Sequence, residues 1–393
     1  MSAAPIYDID YYSDEVIADP WPHYAAMRAL GPVVYLPRHD AYAMVRMAET
    51  RAALRDHARF LSGEGAGGDA YGATFQKGNT IASDPPRHDM IRGALEPPLR
   101  LRALEEARPL IEAAANAMID DLVTRGVFDG VKDFAQPLPL LIVRDLIGLP
   151  DFGRENMLKW AGAAFNMMGM QNARGRAAEA DILEMRAFLK DQLTRDAVKP
   201  GSWIDRIFQQ IEDGLDPELG RMAMRDYINP SLDTTIAALG WLLHFLGDAP
   251  EEWARLRAEP KRALGAAHEA VRLSTPLRSF ARITAEEVAI GDVAIPKGAR
   301  VYMCFAAANR DERAFENPDR FDPTRPPGRH LAFGAGVHTC AGMHLALLEI
   351  TSLIRAMIDR VETIETGEAT AAYNNSISAL ASLKVRFTGA MAA

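Results

Sequence analysis

The chain has 393 residues, with 44 Lys and Arg against 53 Asp and Glu and a formal charge of −9. That acidic balance argues against a nucleic-acid partner, which calls for a basic face. With 48% hydrophobic and 25% charged residues the chain can bury a large core, which excludes disorder and collagen-like repeats.

Two cysteines, Cys304 and Cys340, are too few for a disulfide framework or a four-thiolate zinc site and fit a reducing compartment. The opening Met1-Ser2-Ala3-Ala4-Pro5-Ile6-Tyr7-Asp8 lacks the basic and apolar regions of a signal peptide. No apolar run approaches the roughly 20 residues of a membrane span, so a cytoplasmic location without a membrane partner is expected.

Ala, Leu, Arg, Glu and Met at spacings of three and four predict a mainly α chain with minor β, organised as one domain over 1–393. A hairpin is expected from 33–36 and 41–45 around Pro37-Arg38-His39-Asp40. Residues 62–78, with six glycines, read as a mobile loop. Asp84-Pro85-Pro86-Arg87-His88 looks like a helix start that sets His88 and Arg92 on one face. The spacing then predicts a helix of about 30 residues over 216–246, capped by Asp216, spanning roughly 45 Å. At its centre, Pro230 cannot donate to the carbonyl of Asp226, so an opening or kink is expected in Asn229-Pro230-Ser231-Leu232-Asp233-Thr234-Thr235. Short strands follow at 288–290, 293–295 and 300–305, the last carrying Cys304 as a core residue.

The most informative segment is Phe333-Gly334-Ala335-Gly336-Val337-His338-Thr339-Cys340-Ala341-Gly342. It runs into a helix whose buried stripe is Leu347, Ile350, Ile354, Met357 and Val361. A thiol ahead of such a helix meets free N–H groups and the helix dipole, which favour thiolate, while the glycines let the backbone approach a flat cofactor. Cys340 is therefore a candidate metal ligand.

This segment resembles the haem-binding loop of the cytochrome P450 family, whose Phe, Gly, basic residue, Cys and Gly match Phe333, Gly336, His338, Cys340 and Gly342. The resemblance extends to Glu269 and Arg272, 68 residues before the cysteine in the case of Arg272, and to the Asn/Pro-rich segment between them and Cys340. It implies a triangular, mostly helical haem-thiolate monooxygenase. His88, Arg92, Arg282 and His338 would hold the propionates of haem b (iron protoporphyrin IX), with Cys340 as axial ligand. Asp233-Thr234 matches the family's acid–alcohol pair, which delivers protons during oxygen activation. Pro230-Ser231 departs from the usual Ala or Gly followed by Gly.

No Gly-rich dinucleotide fingerprint follows a strand, so NAD(P)H electrons are expected through a ferredoxin or similar iron-sulfur or flavin partner, docking on a basic patch with Arg100 and Arg102. Phe165, Met168, Pro276, Leu277, Phe280 and Ile377 are candidate contacts for a small-molecule substrate. The stretch 373–383 is similar to members that demethylate methoxylated aromatics such as methoxybenzoates and guaiacol. Hydroxylation of a terpenoid, steroid or fatty acid, a non-catalytic haem sensor and a peroxide-driven enzyme stay open as alternatives.

Overall fold

The computed structural model describes residues 2–389. Helices dominate, and three small sheets sit beside them. The central pair is Leu101–Arg125 packed on Met343–Arg360, with Asp233–Asp248 and Ala263–Ser274 layered against the latter. Ile111, Ala115, Ile119, Leu122, Ile350, Leu353, Ile354 and Met357 fill the contact and are almost fully buried. The stripe expected after Cys340 is real, except that the helix ends at Arg360 and Val361 opens a strand.

The expected hairpin forms between Val33–Leu36 and Ala41–Met44, turned by Pro37–His39 and a left-handed Asp40 with φ of 44°. It heads a five-stranded sheet that continues through Arg300–Met303, Phe280–Thr284 and Phe60–Leu61. The strand expected over 300–305 stops at Met303, and Cys304, fully buried, precedes the helix Phe305–Ala308. Val288–Ile290 and Val293–Ile295 pair as expected. A long hairpin, Val361–Tyr373 with Ser378–Gly389, was not foreseen; the Ala and Glu in its first strand mimic helix propensity.

Two expectations need correcting. Residues 62–78 are no free loop: Ala70–Gln76 is a helix capped by the Asp69 carboxylate, and a Cβ at Gly68 would stand 1.9 Å from the Gly169 carbonyl oxygen. The long helix is broken rather than bent, with Pro217–Ile228 and Asp233–Asp248 separated at 229–232. Ser231 supplies local compensation, its hydroxyl donating to the Tyr227 and Ile228 carbonyls.

Glu269 and Arg272 carry the segment that ends in the cysteine loop. Arg272 makes a two-armed bond to Glu269, 2.7 Å on each arm, and donates to the carbonyls of Asn309 and Pro318. Glu269 Oε1 also accepts from the Asp322 amide and the Arg325 guanidinium, both at 3.0 Å. Each side chain is nearly fully buried, so removing one partner strands the other charge. Glu269→Ala should cost about 3–5 kcal/mol. A urea-unfolding midpoint equal to that of the wild type would refute this role.

Candidate active site

A cavity lies between the broken helix and the cysteine loop, with about 1730 Å³ of empty space including its mouth. Phe333, His338, Cys340 and Gly342 line it from one side, and Pro230, Ser231, Thr234 and Thr235 from the other.

The cysteine loop is fixed by backbone geometry. The Cys340 amide donates to the Phe333 carbonyl at 2.9 Å and that of Thr339 to Gly336 at 3.1 Å, while Gly342 begins the helix Met343–Arg360. Gly336, at φ of 77°, leaves 2.4 Å between a notional Cβ and the Leu54 carbonyl oxygen, so only glycine fits there. The sulfur faces the open space of the cavity. Burial pushes the Cys340 thiol above its usual range, outweighing the Gly342 amide, the Arg92 guanidinium and the Met343 amide, which pull it down. The N–H groups at the helix end act toward thiolate as expected, but burial is the larger effect.

The expected basic residues gather around His338, at the edge of the cavity. Arg282 is buried, donates only to its neighbour's carbonyl at Ala281, and is pushed down to about 10 by burial despite Asp84. The His338 and His88 rings meet edge to face at 4.5 Å, and the Nε2 atoms of both are buried without a partner. His88 stands behind His338, its Nδ1 held by the Asp89 carboxylate at 2.8 Å. Burial and the nearby Arg282, His88 and Arg92 drive His338 down to about 2. Arg92 bonds the Glu96 carboxylate and the Thr339 carbonyl. Unpartnered imidazole nitrogens beside the Arg92 and Arg282 guanidinium groups fit a ligand bearing two carboxylates, as haem b does.

The acid–alcohol pair is split. Thr234 lines the cavity, its hydroxyl donating to the Pro230 carbonyl at 3.1 Å, as Thr235 also does in lining it. Asp233 does not; its Oδ2 points toward the helix Asp151–Gly169, 3.5 Å from where a Cβ on Gly162 would sit. Among the candidate substrate contacts, Phe165, Met168, Pro276, Leu277 and Phe280 line the cavity. Ile377 packs behind Phe165 and Met168, and pairs across to Leu277.

The sequence reading missed several lining residues. Glu349, on the helix after the cysteine, is buried, has an oxygen without a partner, and is pushed well above the carboxylate range by burial. Gln76, Asn79, Thr80 and Asp226 also face the cavity. Nothing in local spacing joins 76–80 to 226; only the fold does.

Comparison with known proteins agrees with this geometry. The cytochrome P450 family model matches residues 182–382. Cytochrome p450 CYP199A2 of Rhodopseudomonas palustris is 34% identical over 399 residues, covering 99% of this chain and 96% of that protein. The 6-deoxyerythronolide B hydroxylase of Saccharopolyspora erythraea is 30% identical, covering 91% of this chain and 92% of that one. Among solved structures, CYP268A2 of Mycobacterium marinum in complex with pseudoionone superposes with a TM-score of 0.85 at 26% identity, over 98% of this chain and 100% of that one. A glycine-framed cysteine, a cavity edged by arginines and unpartnered imidazole, and these relatives together place the chain in the cytochrome P450 family, as a monooxygenase that uses haem b and NAD(P)H electrons delivered by redox partners.

Proposed function

We propose that this enzyme removes the methyl group of a methoxylated aromatic. The supporting observation is the wall of Phe165, Met168, Leu277 and Phe280, apolar and partly aromatic, which faces the same space as the Cys340 sulfur. The stretch 373–383, similar to demethylating members, underpins this wall. The Asn375 amide nitrogen donates to the Asn166 and Met170 carbonyls, and the Ser376 hydroxyl donates to the Phe165 carbonyl at 2.7 Å. Hydroxylation of another apolar substrate is the second reading, favoured by relatives that carry hydroxylase names.

Bound haem supplies the oxygen-activating chemistry that no side chain can perform. In this reading Cys340 would hold its iron through the sulfur, whose electron density would support the oxygen chemistry the haem supplies. His88, Arg92, Arg282 and His338 would hold the propionates, while Phe333 and Gly342 would frame the sulfur. The substrate wall fixes the methoxy carbon by shape. Oxidation of that carbon consumes one atom of dioxygen, two electrons and two protons; the second oxygen atom leaves as water. The resulting hemiacetal breaks its bond to the methyl carbon and yields a phenol and formaldehyde.

Protons are moved by the Thr234 hydroxyl, which faces the cavity, and replenished by Asp233 from behind it. Burial pushes the Asp233 carboxyl up to about 7, close to the working range of a general acid and base. Electrons arrive from a ferredoxin-type partner. Arg100 and Arg102 are exposed at the start of the helix that packs on Met343–Arg360, and exposed Arg55 abuts Gly336 of the cysteine loop. A basic face of this kind would attract an acidic partner against the net charge of the whole chain.

With NADH and surrogate redox partners, the enzyme should release formaldehyde from a methoxyaromatic panel, and Cys340→Ala should abolish both turnover and the thiolate band of the reduced, carbon-monoxide-bound protein. A hydroxylated terpene or fatty acid without formaldehyde would select the second reading. Asp233 ionises at 3.8 when unfolded and at about 7 when folded, so the native state binds its proton more tightly. Stability relative to Asp233→Asn should therefore fall as pH rises through that window and level off above it; parallel stability–pH curves would contradict this. Arg55→Glu combined with Arg102→Glu should slow reduction by an acidic ferredoxin about ten-fold at low salt, with the difference shrinking as salt is added. Unchanged reduction rates would remove the patch from the electron route.

A further inference from the structure

Asp233, Ala237 and Trp241 stand four residues apart and share one face of the helix Asp233–Asp248. The helix Asp151–Gly169 and the last hairpin cover that face. Ala237 packs in one cluster with Phe165, Met168 and Ile377, and Trp241 Nε1 donates to the Ser378 carbonyl at 3.2 Å. Asp233 begins the face, one turn before Ala237, and Gly162 stands against it.

From Ala161 to Gly169 every residue is buried except Gly162 and Asn166. Asn166 is committed, its side-chain oxygen accepting from the Asn375 amide at 2.9 Å. Gly162 has nothing to fill its place. A Cβ there would meet one atom within 4 Å among the described residues outside its own helix, Asp233 Oδ2 at 3.5 Å. The gap lies beside a surface turn, because the Gly162 carbonyl accepts from Asn374 Nδ2 at 3.2 Å and the neighbouring Tyr373 is 51% exposed. Asp233 is only partly buried, yet it does not line the cavity, so its accessible surface opens on the Gly162 side. Neither a hydrogen bond nor a cation holds its carboxylate among the described residues. A carboxylate left without a protein partner takes water instead.

We propose that Gly162 is a positioning residue for the proton supply: the gap left by its missing side chain admits the water that reprotonates Asp233. A water in the gap gives a proton to Oδ2, and the hydroxide left behind is neutralised by bulk solvent. Asp233 then passes a proton to the Thr234 oxygen as the Thr234 hydroxyl releases its own into the cavity, and both groups are restored. This rests on the reading of Asp233 and Thr234 as the proton pair.

The test is infrared spectroscopy of the haem-loaded enzyme below the titration range of Asp233, where its carboxyl carries a proton. The carboxyl band, identified by its loss in Asp233→Asn, shifts when deuterium replaces that proton. On mixing with deuterated water the wild type should exchange within the mixing time. Gly162→Leu should slow the exchange about ten-fold or more, since it then waits for a local opening. Gly162→Ala, one carbon larger than glycine, should fall between. Leucine favours helix over glycine and its Cβ fits at ordinary contact distance, so the variant should fold. Exchange as fast in Gly162→Leu as in the wild type overturns the proposal.

A second measurement is oxidised product formed from anisole per NADH consumed, with surrogate redox partners. Gly162→Leu should lower this yield about three-fold, the missing electrons appearing as hydrogen peroxide, and should cost nothing further when added to Asp233→Asn. Losses that add in full would mean that Gly162 acts through packing alone, and they also overturn the proposal. The two readings fail separately. Slowed exchange with an unaltered yield in both single variants upholds the gap as the water route to Asp233 and sinks the proton-pair reading. A yield that falls in Asp233→Asn while Gly162→Leu exchanges freely does the reverse.

Discussion

Buried nitrogen without partners is the constraint around which the active site is arranged. The Nε2 atoms of His88 and His338 are buried and unpartnered, and Arg282, buried near His338, donates to the Ala281 carbonyl next to it in the chain. Buried polar groups left unpartnered are costly, because burial removes their water without returning a hydrogen bond. A ligand bearing two carboxylates would supply the missing partners. At Cys340 burial raises the thiol above its usual range, against the pull of the Gly342 and Met343 amides and the Arg92 guanidinium. Cofactor binding thereby contributes to stability as well as to chemistry.

Such a site needs rigid supports from several parts of the chain. The Glu269–Arg272 pair ties the helix Ala263–Ser274 to the carbonyls of 309, 318 and 320, upstream of the cysteine loop. Asp84 accepts from the amides of Ser62 and Gly63, fixing the entry to the helix that carries His88 and Arg92. Asn375, at the turn of the last hairpin, clamps the end of the helix bearing Phe165 and Met168. These ties are polar, many of them are buried, and each joins segments distant in sequence, so the cavity keeps its shape with few helices spanning it.

Sequence made the cysteine loop legible because its requirements are local: glycines for close approach, a thiol, then a helix with a regular apolar stripe. The first hairpin was readable for the same reason. The long hairpin of 361–389 was not, although Val361, Thr363, Ile364 and Thr366 are β-branched, because the apolar stripe of the preceding helix runs on into Val361 and the Glu and Ala residues that follow favour helix. Residues 62–78 misled in the opposite direction; their glycines serve tight packing against Gly169, not mobility. The position of Asp233 behind the cavity wall could not be seen either, because it depends on which way the chain restarts after the break at 229–232.

That break is the least economical feature of the fold, and its cost has an identifiable return. A continuous helix would satisfy its own backbone and present only side chains to the cavity. Here Pro230 withholds an amide, and the Ser231 hydroxyl satisfies carbonyls of the preceding turn. Thr234 is held on the Pro230 carbonyl itself. The second helix then starts at Asp233, which places an acid in the first turn, where a helix N-terminus stabilises its charged form. Burial works against that stabilisation and wins, leaving a carboxyl that titrates near 7 beside a hydroxyl that faces the reaction space. Had the helix run through, Asp233 would sit in an interior turn without the dipole's help, and desolvation would lift its proton affinity further from the range in which an acid both gives up and recovers a proton. The interruption thus tunes the acid as well as opening the groove.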